Sequence, residues 1–449
     1  MGESSEDSIQ VNDKFIVNFD KEMERWGRKS IYKLPACVTK LHPDAYKPQV
    51  VSFGPYHYND GDLKPMEEHK RRALDHFLER SGKPLPSYIN SLSEIALDVK
   101  DAYDPLPLEW HQKETTDEFL ELMVRDGCFM LEILRTSILS MRDYARNDPI
   151  FSDHGRLYIM PYIKRDLLMM ENQIPLSVLE KLLTVENEES PQKNMNFINW
   201  LILQFYLPDT NNINPDGESL HVLDVFRKRM LHGADPSSKA KKADPSSIPK
   251  ILNQLLSSCF GTRRDSNDEI VRSATELREA GIKITKSATK CLKDITFDRG
   301  ILKLPPIVVD DVTGTMFLNL IAFERFHVGA GNEVTAYVFF MDSIINDSED
   351  VKLLHSGGII QNALGSDIAV ADLFNSLLKD GTLDPDSSLS TVHNMVTSYC
   401  KNPWPRWRAN LSQTYFTNPW AFISFIAAIF LFALTITQTG YSISDYYRR

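Results

Sequence analysis

Four neighbouring residues carry groups that could hold a metal or move a proton: His57, Glu67, Glu68 and His69, around the stretch GPYHYND. A working site needs such groups to converge on one point. On a helix, successive side chains point about 100° apart, so Glu68 and His69 cannot face one ligand, although His69 and Arg72 share a face. Satisfied or solvated side chains are therefore the expectation, and no metal is expected. Asp310 and Asp311 adjoin, but strand neighbours face opposite sides, so they make no two-carboxylate site. Capping the helix that opens at Thr313 is their expected role. Glu171, Asn172 and Gln173 stand in apolar company and need partners if buried. They read as a structural network around the break made by Pro175. Lys164, Arg165, Lys228 and Arg229 read as solvated helix-end charges.

The common catalytic signatures are missing. No HExxH, no Gly-rich loop leading to a GK[ST] step and no GxSxG elbow occurs. The loop at Gly329 and Gly331 lacks the third glycine of a dinucleotide site and reads as a plain turn. No catalytic residue and no cofactor is nominated on these grounds. A net charge of -11 argues against nucleic acid as a partner, because phosphate binding concentrates basic charge. The five cysteines, Cys37, Cys128, Cys259, Cys291 and Cys400, are scattered and form no CxxC pair. That usage suits a reducing compartment.

Helices must position whatever site exists. Residues 31–60 are broken by Pro35, Pro43, Pro48 and Pro55, while Val50, Val51 and Phe53 suit a short extended segment. Apolar spacing predicts a helix from Pro65 to a stop at Gly82 and an unbroken one over 88–103. Thr115 and Glu118 suggest a capping box opening a long helix, which Gly127 weakens by about 1 kcal/mol. The apolar run 165–183 predicts the central buried helix, interrupted at Pro175, and 196–207 and 218–231 predict further helices. Alternation around Asp298, Arg299 and Gly300 predicts a small sheet. Helical spacing returns over 313–326, 333–345, 350–354 and 368–378. The fold class is thus mainly α, a helical globular body with a minor β element and one C-terminal transmembrane helix.

That last helix is the stretch WAFISFIAAIFLFALTITQ. Residues 409–444 hold no Asp, Glu, Lys or Arg, and the 19-residue apolar run spans about 28 Å as a helix, matching a hydrocarbon core of about 30 Å. Trp420, Phe422, Ile423, Phe425, Ile426, Ile429, Phe430, Leu431, Phe432, Leu434 and Ile436 are its expected membrane-spanning residues. Arg406, Trp407, Arg408 and Tyr415 form an expected juxtamembrane belt. The polar, acidic start of the chain, 1–20, has no h-region of a signal peptide. The expectation is a single-pass, tail-anchored membrane protein with its main body in the cytosol. Its parts are a poorly ordered segment 1–30, a body 31–400 containing a surface linker 232–250, the juxtamembrane segment 401–419, the span 420–438 and a short tail 439–449. Membrane lipid and an unknown protein are its expected partners.

The segments VVSFGPYHY, LKPMEEHKRRAL, DGCFMLEIL, DLLMMENQIPLSVLEKL, SATELREAGIKI, LPPIVVDDVTGTMFLNLIAFER and GIIQNALGSDIAVADLFNSL, with the apolar C-terminal run, resemble the plant family known as domain of unknown function 247, or UPF0481. The resemblance runs in family order from about Ile31 to Tyr441. It implies a mostly helical body with a C-terminal membrane helix, and it implies no activity. Some grass members of the family are associated with self-incompatibility loci. The leading reading is an interaction or recognition protein without chemistry of its own; the rival is a membrane-anchored enzyme of unrecognised class.

Overall fold

The computed structural model of the protein describes residues 27–138, 144–208, 218–232, 272–378, 388–401 and 419–448. The expected element at Phe15, Ile16, Val17 and Phe19, nearly all of the linker 232–250, Cys259, Arg406, Trp407, Arg408 and Tyr415 lie outside the described residues.

In chain order the elements are β1 (Ile31–Tyr32), α1 (Ala36–Thr39), α2 (Lys64–Ser81), α3 (Leu85–Ser93), α4 (Ala96–Asp101), β2 (Tyr103–Asp104) and α5 (Thr116–Arg135). There follow α6 (Asp153–Tyr158), α7 (Met160–Asp166), α8 (Leu176–Asn187), α9 (Pro191–Tyr206), α10 (Val222–Leu231) and α11 (Ala274–Glu279). Strands β3 (Lys283–Lys286), β4 (Thr296–Asp298), β5 (Ile301–Leu304) and β6 (Ile307–Val309) come next. The described chain closes with α12 (Thr313–Phe326), α13 (Glu333–Ile344), α14 (Ser348–Ser356), β7 (Ile360–Asn362), α15 (Asp367–Leu377), α16 (Ser388–Lys401) and α17 (Pro419–Arg448). Helix dominates the described residues, which makes the protein mainly α. The strands form three small sheets: β1 parallel to β2, β3-β5-β4, and β6 parallel to β7. The expected hairpin is β4–β5, paired antiparallel from Thr296↔Lys303 to Asp298↔Ile301.

The centre of the body is α5. Fifteen of its twenty residues are buried, and it packs on α2, α3, α8 and α9. Each large apolar side chain so covered contributes roughly 1.5–3 kcal/mol. One continuous apolar cluster extends from this layer, through α10, into α12, α13, α14 and α15.

Three sequence expectations need correction. The run 165–183 is not one helix kinked at Pro175: α7 stops at Asp166, and residues 167–175 are a buried non-helical stretch before α8. Glu171, Asn172 and Gln173 lie inside it, so their side chains replace helical hydrogen bonds that the backbone does not make. The helix expected over 88–103 divides into α3 and α4, because Ile95 N bonds Leu92 O in a tightened turn. That turn redirects the chain so that β2 can lie beside β1. The capping box at Thr115 does not form; its hydroxyl donates backward to Glu109 O at 2.9 Å and Gln112 O at 3.0 Å.

Asp310 takes the expected capping role. Its Oδ1 accepts from Thr313 N at 3.0 Å and from the Thr313 hydroxyl at 2.7 Å, closing the turn into α12.

A histidine clasp ties the N-terminal arm to the rest. Fully buried His221 donates from Nε2 to Ser30 O at 3.0 Å, and its Nδ1 accepts from Asp224 N at 3.3 Å, which fixes the neutral tautomer. Its ring sits edge-on to Phe323 at 5.0 Å. Burial pushes this imidazole down to about 4, with Asp224 and the Ser30 carbonyl opposing. The folded value lies below the unfolded 6.5, so between 6.5 and about 4 the unfolded chain binds protons that the folded one refuses. Stability therefore falls as pH falls through that window, by about 3 kcal/mol in total. Burial lowers His69 and His327 as well, which adds to the slope. Denaturant midpoints measured across the window are expected to fall less steeply in His221→Asn than in the parent.

Candidate functional site

The cluster flagged by its chemistry does not converge. His57 Nε2 lies 3.5 Å from Glu171 Oε2, whereas Glu67 pairs with Lys70 at 2.6 Å and Arg125 at 3.1 Å. Glu68 is exposed, and His69 is lowered first by burial and then by Arg72. Among the described residues no group of three His, Cys, Asp or Glu side chains could hold a metal ion.

What the polar residues build is a cradle for the extended segment 49–54. Asp166 Oδ2 accepts from Gln49 N at 3.0 Å, Val50 N at 2.7 Å and Val51 N at 3.1 Å. Asn172 Oδ1 accepts from Phe53 N at 2.6 Å while its Nδ2 donates to Val51 O at 3.0 Å. Asp126 Oδ2 accepts from Gly54 N at 2.9 Å. The segment thus has its backbone paired like a strand, but by side chains.

Gly54 closes the cradle. Its φ is +74, and a Cβ there would lie 2.8 Å from both Gln173 O and Tyr103 Oη. Only glycine meets both conditions.

Lys70 is buried completely beneath this segment. Its ammonium donates to Asp126 Oδ1 at 2.8 Å and Ser52 Oγ at 3.2 Å, and lies 2.6 Å from Glu67 Oε1 as an ion pair. Glu171 accepts from Lys33 and from Leu34 N at 2.8 Å. Burial alone would raise its carboxyl, but His57 and Lys33 bring it below the usual range. Gln173 donates to Leu167 O at 2.7 Å and Met169 O at 2.8 Å, and its Oε1 accepts from Leu223 N. All three polar residues of the 167–175 stretch are therefore partnered, as a structural network.

Arg165 is buried and Lys164 half-buried, contrary to the sequence reading of both as solvated. Arg165 is 8% exposed and donates to Asp166 Oδ1 and Asp44 O. Lys164 caps Phe205 O at 2.7 Å over the Phe205 ring. Two of the missed charges did leave a trace in the sequence. Lys70 falls on the apolar stripe Met66, Lys70, Ala73, Phe77, and Asp126 on the stripe Phe119, Met123, Asp126, Met130. A charge on such a stripe is buried and paired or it does not belong there.

A trough of about 480 Å³ lies between the turn Pro43–Ala45, α12 and α15. A smaller lobe of about 70 Å³ shares Leu41, His42, Leu318, Ser376 and Leu377 with it. Its floor is apolar, and Asp44, Asp311 and Arg165 are its charged residues.

The remaining feature is α17. The stretch Ile423–Ser444 is long and apolar enough to cross a membrane, and none of it is buried against the body. Ile423, Phe425, Ile426, Ile429, Phe430, Leu431, Phe432, Leu434 and Ile436 are all exposed. Trp420 and Phe422 lie on the helix, with their side chains outside the described set. The helix runs through Gln438 to Arg448, so at 30 residues it is about 45 Å long, exceeding the expected span. Thr435 and Thr437 donate their hydroxyls to Leu431 O at 2.8 Å and Ala433 O at 3.0 Å, which satisfies them inside the helix.

The plant protein family of unknown function DUF247 matches residues 31–434. UPF0481 protein At3g47200 of Arabidopsis thaliana is 31% identical over 442 residues, spanning 94% of this chain and 88% of that protein. Putative UPF0481 protein At3g02645 of the same plant is 23% identical over 509 residues, spanning 95% and 94%. No solved structure matches the chain significantly.

Proposed function

The chain belongs to the DUF247 family of plant proteins of unknown function, and from that premise we propose that it is a membrane-tethered interaction protein. Helix α17 inserts in lipid and holds the helical body at the surface for a protein partner. The observation that carries this is the exposure of an uncharged apolar helix on a body whose own large apolar side chains are mostly buried. Ten exposed Phe, Ile and Leu residues on one helix form a patch well beyond what a soluble surface tolerates. The family match extends to residue 434, inside that helix. Among the described residues Cys37, Cys128, Cys291 and Cys400 form no disulfide, in keeping with a body on the cytosolic side. Tethering raises local concentration, so a modest partner affinity suffices. A recognition role like that associated with grass self-incompatibility is a narrower form of the same proposal.

The polar clusters support a binding role over chemistry, because their groups are consumed in holding the fold. The rival, a membrane-anchored enzyme, draws on the trough, where His42, Asp44, Arg165 and Asp311 meet. Arg165 is engaged by Asp166 and the Asp44 carbonyl, and His42 Nε2 is bonded to Ser376 O at 3.1 Å, so the guanidinium and the imidazole are held by the fold rather than by the exposed Asp44 and Asp311 carboxylates. An N-terminal fluorescent tag on the full chain is expected to mark a membrane, and the same tag on a chain stopped at Leu411 to fill the cytosol. Identical membrane patterns for the two would defeat the tether.

A further inference from the structure

We infer that the trough between the Pro43–Ala45 turn, α12 and α15 seats a basic side chain, flanked by apolar residues, from a partner protein. The inference deepens the interaction reading and rests on it. Its floor is built from Leu318, Leu373 and Leu377. Above the floor stand Asp44 and Asp311, both exposed, and among the described residues neither carboxylate has an ion-pair partner. The one cation of the main lobe, Arg165, is already balanced by Asp166. The lobe therefore carries a net negative charge over an apolar surface, complementary to a lysine or arginine whose alkyl stem lies on leucines.

Gly314 lines the trough. It stands in the first turn of α12 with no positive φ to demand glycine, and a Cβ there would come 3.1 Å from Leu373 Cδ1. Its place in a helix costs about 1 kcal/mol relative to alanine. The glycine therefore lets α12 lie close against Leu373 of α15 along the apolar side of the trough. The shape suits an extended segment, since the main lobe continues into the smaller one past His42 and Leu41 toward exposed Arg325.

The test uses the full chain in nanodiscs and end-capped fluorescent nonapeptides of Leu and Ser with a central Lys, Glu or norleucine. The Lys peptide is expected to bind about tenfold tighter than the Glu peptide, with norleucine between them. Asp44→Asn with Asp311→Asn removes that preference. Gly314→Leu fills the trough and abolishes binding, in a protein whose circular dichroism spectrum shows the parent helix content. Equal binding of all three peptides, or Lys binding that survives Gly314→Leu, overturns the inference. Liposome flotation of the same variants stays unchanged in either case, so a failed trough and a failed tether are told apart.

Discussion

Asp166→Ala is expected to leave the body largely unfolded under conditions where the parent is folded. The substitution strips one acceptor from the backbone N–H groups of Gln49, Val50 and Val51 at once and leaves Arg165, 8% exposed, without its carboxylate. An uncompensated buried charge costs roughly 3–5 kcal/mol and the buried Val51 donor without an acceptor about 1–3 kcal/mol, while Gln49 and Val50, nearer solvent, add less. The sum reaches the whole stability of a typical domain, about 5–15 kcal/mol. Asp166→Asn separates the two parts. Its amide oxygen can still take the backbone donors, but its nitrogen faces Arg165, so an intermediate loss is expected. Chemical denaturation read by tryptophan fluorescence ranks the three proteins, and an Ala variant within 1 kcal/mol of the parent would show that the cradle does not hold the 49–54 segment.

Gly127→Leu is expected to cost roughly 3 kcal/mol or more, the upper end of overpacking penalties. At this position α5 meets α8 with no room to spare: a Cβ would lie 2.5 Å from Leu182 Cδ1 and 3.3 Å from Val178 Cγ1. Helix propensity alone predicts the opposite sign for Gly127→Ala, a gain of about 1 kcal/mol. Because Val178, Leu179 and Leu182 are fully buried, the clash outweighs that gain and the Ala variant loses stability too. Thermal melts of both variants decide between propensity and packing. A higher melting temperature for Gly127→Ala would mean that the helices stand further apart than described.

These two positions mark where the sequence was readable and where it was not. The helices were legible wherever one face met the core: α2 with its proline start and Gly82 stop, α5, α9, and α12 to α15 all follow the period of apolar residues. Gly127 was legible only as a weak helix residue, since spacing along one helix carries no information about a second helix 50 residues on. The same limit hid Asp166, whose partners are backbone groups more than 110 positions away and have no side-chain signature at all. Continuous periodicity over 88–103 concealed the turn at Ile95, because a tightened i→i−3 bond keeps apolar residues on roughly the same side. The run 167–175 misled for a related reason: a buried loop must be as apolar as a buried helix. Its polar residues, Glu171, Asn172 and Gln173, were the clue that its backbone needed outside partners.

The site was legible to a different degree. The uncharged run that became α17 depends on composition alone, and composition is what a sequence displays most directly. The trough depends on the docking of the 36–46 arm against α12 and α15, a tertiary arrangement with no local trace beyond one glycine in a helix.

The most direct measurement of the central claim is alkaline carbonate extraction followed by density-gradient flotation of the full chain reconstituted in liposomes. The account predicts that the protein stays with the lipid, and that protease added outside removes the body and leaves a short protected fragment containing Ile423–Ser444. Release of the intact chain into the carbonate supernatant, with no protected fragment, would contradict it.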